Sequence, residues 1–133
     1  MGYWIDQTQQ RVAFGVSDMG VLAGAGEVIS TGDDLARFVR VMAGIDAHPV
    51  AGAPDLAITN LGTSPTGFIG YALDISIPAT GPTRYSKTGS TAGFTCYIGF
   101  HRNPAVAVAV MLNQGNVSPK VAGEALLDQL AGL

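Results

Sequence analysis

Charged side chains are scarce in this chain. Asp, Glu, Lys and Arg make up 13% of its 133 residues, against ~25% in a typical soluble domain. The formal net charge is −3 and the isoelectric point about 5.0, which excludes a basic nucleic-acid surface. A single cysteine, Cys96, excludes an internal disulfide and a thiolate metal cluster. His48 and His101 stand far apart in sequence without clustered carboxylates, so no metal site and no cofactor are expected. No apolar run reaches the ~18 residues of a membrane span. No basic stretch followed by an apolar core marks a signal peptide, although a periplasmic or secreted compartment stays open for a longer parent protein. A chain of one domain's length with so little charge and a mean hydropathy of +0.31 implies one of two things. Either a partner covers part of its surface, or it is a piece of a larger fold.

The patterns that are present point to an α+β fold. Residues 2–14 hold two short extended runs around a polar stretch and read as a hairpin. Residues 18–29, rich in glycine and small side chains, read as a loop. Ser30 and Thr31 offer N-caps, with Asp33 and Asp34 three residues on, as in a capping box. Leu35, Phe38, Val39 and Met42 then fall at helical spacing and predict one buried stripe. Asp33 and Arg37 are spaced to pair on the outer face, and Gly44 ends the helix. Residues 48–67 read as a long connection. Residues 71–77 alternate, with Leu73, Ile75 and Ile77 on one face, and predict a half-buried strand stopped by Pro78.

Three further strands are predicted at 83–91, 94–101 and 105–112, the last two joined by the turn Arg102, Asn103, Pro104. The 105–112 run is apolar on both faces, which places it inside a covered sheet, and its alanine face suits the close approach of a helix. A second helix follows Ser118 and Pro119. Its stripe is expected at Ala122, Ala125, Leu126 and Leu130, with Lys120, Glu124 and Asp128 on the wet face. These elements predict an antiparallel sheet of three or more strands with the C-terminal helix packed on it, plus a separate N-terminal helix. The whole is read as a single partial domain, 1–133. Within it 1–67 is a loop-rich region with one helix, and 68–133 holds the strands and the C-terminal helix.

The most specific local signal is Lys87, Thr88, Gly89, followed by Ser90. Lys-Thr-Gly is the third signature element of the β-lactamases and penicillin-binding proteins. Alone it is weak, and an exposed edge lysine that guards against aggregation explains Lys87 as well. It stands here in an ordered set: Ala25, Gly26, Glu27, Val28, Ile29, Ser30, Thr31 leading into Asp34, Leu35, Ala36, Arg37, Phe38; then Gly70, Tyr71, Ala72, Leu73; then residues 87–94; then a final strand ending in Asn113 with a helix after it. That order resembles the C-terminal part of class C-type β-lactamase-related serine hydrolases, a group that also holds peptidases and esterases. The resemblance implies a partial β-lactamase/transpeptidase-like fold. Lys87 and Thr88 would then meet a substrate carboxylate, Gly89 would permit close approach, and the Ser90 N–H would be one of two oxyanion donors. The substrate of the whole enzyme would be a β-lactam, peptide or ester.

The departures are as informative. No serine has lysine three residues on, so the family's Ser-x-x-Lys nucleophile is absent. Tyr71, Tyr85 and Tyr97 do not begin a Tyr-x-Asn element. Both elements are expected upstream of Met1, with the chain a truncation, a remnant or one half of a split enzyme. By this reading the chain contributes carboxylate binding and an oxyanion donor, no catalytic nucleophile, and no turnover by itself. It pairs with a missing N-terminal part or with copies of itself. The alternative is a non-catalytic binding or self-assembling module derived from the same fold. Other candidates have plainer explanations. Ser90 with His101 as base is outweighed by a strand-end hydroxyl satisfied by backbone, and there is no Gly-x-Ser-x-Gly elbow. Asp33 and Asp34 cap a helix. Gly24, Gly26 and Gly32 lack the phosphate-cradling pattern. His48 is a solvated loop residue, Cys96 a core residue, and residues 113–116 a polar turn.

Overall fold

A computed structural model describes residues 1–16, 18–65 and 67–133. The chain opens with an antiparallel hairpin of β1 (Gly2–Ile5) and β2 (Arg11–Phe14). Its tip is closed by Asp6, whose carboxylate accepts from the Thr8 and Gln10 amides. A short 3-10 helix, Gly20–Ala25, leads to α1 (Gly32–Met42). The predicted cap is present: Thr31 Oγ1 accepts from the Asp34 amide at 3.1 Å and donates to the Asp34 carboxylate at 2.9 Å. Gly44, at φ +78°, closes the C-terminus, as a left-handed position there requires.

The region read as a long connection contains a one-turn helix, α2 (Ala53–Ala57), and β3 (Gly62–Ser64). Then follow β4 (Gly67–Ile69), β5 (Asp74–Ser76), β6 (Arg84–Thr91), β7 (Phe94–Arg102), β8 (Ala105–Leu112) and α3 (Lys120–Ala131). The strands from β3 to β8 form one antiparallel sheet in sequence order, six strands wide. Its long, well-paired part is β6–β7–β8, with Tyr85 to Thr91 opposite Phe100 to Phe94 and Thr95 to Arg102 opposite Leu112 to Ala105.

The sheet is covered on both faces. On one, Met42 of α1 and its C-cap Ala43 meet Leu73 and Phe100, with Tyr85, Ile98 and Ala107 around them, and Tyr85 stacks on Phe100 at 5.2 Å. On the other, α3 crosses β7 and β8. The first helix is therefore not a region apart, as expected from sequence. It lies against β8 and β7, because the alanine face of β8 lets a helix come close.

Three local expectations are corrected. Phe38 is 48% exposed while Val39 and Met42 are buried, so the α1 stripe is narrower than its spacing suggested. Arg37 reaches Asp34 rather than Asp33. On α3 the face is rotated: Gly123 and Leu127 are buried, whereas Leu126 and Leu130 are exposed, and Glu124 and Asp128 turn toward Arg84 on β6. The cause is Tyr97, wholly buried on β7, whose ring fills the space where a Gly123 Cβ would lie only 2.2 Å from Cδ1. The helix can sit on that ring only through a residue without a side chain.

Candidate functional site

Lys87, Thr88, Gly89 and Ser90 all lie on β6 and all are exposed. Two neighbours determine how they are presented. On one side β7 pairs with β6 through Thr91, which holds the segment extended and straight. On the other side β5 covers only Arg84 to Ser86. The chain leaves that edge because residues 70–73 make a turn, with the Gly70 amide donating to the Leu73 carbonyl at 2.8 Å and Ala72 at φ +59°. The strand read at 71–77 is thus shortened to Asp74–Ser76, with Leu73 and Ile75 buried and Ile77 exposed. Among the described residues, no strand covers 87–90 on this outer side. Every second residue of an antiparallel strand turns both its N–H and C=O to one side, so the segment offers a row of free donors and acceptors to a ligand laid alongside.

Side chains alternate across the same segment. Lys87 is exposed and, among the described residues, has no ion-pair or hydrogen-bond partner, so its ammonium is available to an anion. A Cβ at Gly89 would lie 2.9 Å from Cys96 Sγ; the glycine leaves room for that sulfur as well as for a ligand. Thr88 and Ser90 face the α3 side. There, with Thr95 and residues 115–119, they line an open groove of about 340 Å³. Its far wall is tied to the sheet by two hydroxyls, Thr95 Oγ1 to the Gln114 carbonyl at 3.0 Å and Ser90 Oγ to the Gly115 carbonyl at 3.4 Å.

The hairpin is tied in at the same end. The Tyr3 amide donates to the Gly93 and Asn113 carbonyls, and the Gly115 amide to the Tyr3 carbonyl. The Asn116 side chain accepts from the Ile5 amide and donates to its carbonyl. Residues 113–116, read as a polar turn, therefore join three parts of the structure. Nothing in their composition signalled that role.

His101 is not near Ser90. It is 1% exposed at the opposite end of β7, six positions along the strand pair, or about 20 Å. Its Nδ1 lies 2.8 Å from the Thr83 carbonyl oxygen. His48 is exposed and hydrogen-bonds Val50 in its own loop. What the sequence did not reveal is a polar cluster beneath α3. Arg84 bonds Asp128 at 2.5 Å and approaches Glu124 at 3.4 Å, with Tyr97, Ser86 and His101 buried beside them. Burial works against the Arg84 charge, but the Asp128 hydrogen bond and both carboxylate charges outweigh it and hold the guanidinium above its ordinary range.

Burial also pushes the Tyr97 phenol up to about 12, with Glu124 adding to the rise and Arg84 and Ser86 opposing it. The phenol oxygen has no hydrogen-bond partner of good geometry. A raised phenol contributes stability in full below the unfolded value of about 10 and loses it as pH climbs toward 12, roughly 2–3 kcal/mol in all. Denaturant midpoints at pH 7, 9 and 11.5 test this. Tyr97→Phe is expected to match the parent at pH 7 to within ~1 kcal/mol and to lose distinctly less above pH 10. Parallel losses in the two proteins would show that the Tyr97 phenol titrates alike in the folded and the unfolded chain and is not raised by burial.

The family model described as Beta-lactamase matches residues 1–133, the whole length, and the chain belongs to that family. Among solved structures it is similar to the octameric penicillin-binding protein homologue from Pyrococcus abyssi, with a TM-score of 0.81 and 23% sequence identity. The match covers 99% of this chain and 30% of that one. At that identity the likeness establishes the fold alone, and this chain spans about a third of the neighbour's length. A search of curated proteins found no match.

Proposed function

We propose that residues 87–90 form the carboxylate-binding and oxyanion edge of a serine-hydrolase site, in a single partial domain that carries no nucleophile. The observation that supports this most is the half-covered β6. Tyr85 and Ser86 are paired on both sides, and, among the described residues, its Lys-Thr-Gly-Ser half is paired on one side only. An acyl-transfer site needs an anchor for the substrate and a fixed N–H aimed at the developing oxyanion. Lys87 and Thr88 supply the first and the Ser90 amide the second. The substrate of the complete enzyme is a β-lactam, peptide or ester, attacked through an acyl-enzyme formed on a serine outside this sequence.

Turnover and stability test the reading together. Offered to this chain by itself, a chromogenic β-lactam and a short-chain ester are expected to hydrolyse no faster than in buffer, with no serine acylated by intact mass. Lys87→Ala is expected to change stability by less than ~0.5 kcal/mol, as for other exposed positions. In a protein that also carries Ser-x-x-Lys, the same change should lower kcat/KM by roughly 1.5–3 kcal/mol. A stably acylated serine here, or a collapse of the melting temperature on Lys87→Ala, would refute the assignment.

A second reading is favoured by a different observation. β8 ends the sheet, yet it carries no charge and is apolar on both faces. Val21, Val28 and Ile29, in the segment before α1, stand more than three-quarters exposed. Such a surface suits an assembly, and the similar penicillin-binding protein homologue is described as octameric. A self-assembling module of this fold, with or without a ligand at 87–90, is the alternative function.

A further inference from the structure

We propose that Arg84 is a positioning residue for the groove beside residues 87–90, fixing its width by tying β6 to α3. The proposal rests on the reading of 87–90 given above. The groove has two walls on two different elements. Thr88 and Ser90 stand on β6, and residues 116–119 stand on the segment that leads into α3. Arg84 lies on β6, three residues before Lys87, and its guanidinium reaches both Glu124 and Asp128, one turn apart on α3.

The helix rests on β7 and β8, through the wholly buried Leu127 and the close approach of Gly123 to the Tyr97 ring. The ion cluster is what ties it to β6, the strand that carries the other wall of the groove. The strand side of that cluster is itself fixed. His101, buried, holds the Thr83 carbonyl through Nδ1 at 2.8 Å, and its Nε2 lies 3.9 Å from the Asp128 carboxylate. The cluster counts two carboxylates against one guanidinium. Without Arg84 the half-buried Glu124 and Asp128 carboxylates lose their guanidinium, with only His101 within reach of Asp128, and their hydration draws the helix outward with residues 116–119. Removing apolar contact from the same helix gives no such directed pull.

The test follows backbone amide resonances of the 133-residue chain by nuclear magnetic resonance. Arg84→Met is expected to displace the amides of residues 88–90 and 116–120 several-fold more than Leu127→Ala does, although Leu127→Ala lowers the melting temperature at least as much. The exchanged pair Arg84→Asp with Asp128→Arg is expected to return most of them toward their original positions. Should Arg84→Met fail to fold, Arg84→Lys keeps the charge but loses one of the two contacts, and intermediate displacements are expected. Groove amides that stay in place in Arg84→Met, or that move alike in Arg84→Met and Leu127→Ala, overturn the proposal.

A second arm titrates N-acetylglycine, a small carboxylate with one amide, into the chain. Wild-type amides at 87–90 that do not respond refute the binding reading, while the first arm still decides the role of Arg84. A response of equal strength in wild type and Arg84→Met refutes the positioning role and leaves the binding reading intact.

Discussion

Gly123→Val is expected to cost roughly 3 kcal/mol, or about 10 °C in melting temperature for a chain of this length. Helix propensity predicts the opposite sign for a small residue in place of glycine, a gain of up to ~1 kcal/mol for alanine. Contact decides against it. A Cβ at position 123 would lie 2.2 Å from Tyr97 Cδ1 and 2.6 Å from Cε1, and the tyrosine is wholly buried, so neither partner can move aside. The helix must lift, which exposes Leu127 and pulls Glu124 and Asp128 away from Arg84. Thermal unfolding of Gly123→Val, Tyr97→Leu and the double variant measures the coupling. The double variant should be more stable than the sum of the single losses by over ~1 kcal/mol. A tolerated Gly123→Val would mean that α3 does not rest on Tyr97.

The same contact shows where sequence reasoning lost its way on α3. Counting apolar side chains put the buried stripe at Ala122, Ala125, Leu126 and Leu130. Hydrophobicity has no way to mark a glycine as the point of closest approach, since what it contributes is room for a partner's ring. That partner, Tyr97, lies 26 residues away in sequence. Once Gly123 faces the sheet, Leu127 and the carboxylates of Glu124 and Asp128 must turn inward with it, and an acidic pair read as solvated becomes an ion cluster. Arg84 gave no sign of its role because no local spacing relates it to α3.

Elsewhere local chemistry was enough. The Thr31 cap, the Gly44 stop, the hairpin at residues 2–14 and the strands β6, β7 and β8 were readable because each is specified by neighbours within a few residues. The shape of the candidate site divides in the same way. Residues 87–90 stood out by their motif. That they form an open edge follows from the turn at 70–73, where an alanine adopts a left-handed backbone that its identity does not announce. The two-sided apolar pattern of β8 implied a sheet covered on both faces, and it is so covered, though one cover is α1, which the sequence set apart. It also implied a strand on each side, and among the described residues there is one only on the β7 side.

That uncovered side leads to the second large effect. A second copy can pair with β8 antiparallel in a register centred on Val108, which sets Val106 opposite Val110 and Ala107 opposite Ala109, each pair on one sheet face. No like charges meet, and a two-fold pairing of this kind closes on itself. Val108→Lys is expected to abolish association and to cost ~3 kcal/mol or more, because the half-buried valine faces α3 and the change drives an ammonium into an apolar contact. Lost folding and lost pairing would look alike in that variant. Met111→Lys separates them: Met111 is 45% exposed near the end of the strand, so a lysine there blunts the edge without burying a charge. Sedimentation velocity at increasing concentration is expected to show a dimer or larger species for the parent chain and a folded monomer for Met111→Lys. A parent chain that stays monomeric at high concentration, with slow amide exchange along Ala105–Leu112, would show that the edge is stable alone and would end the assembly reading. A monomeric parent that instead exchanges fast along β8 would also defeat self-pairing, and would leave the edge waiting for a strand from another chain.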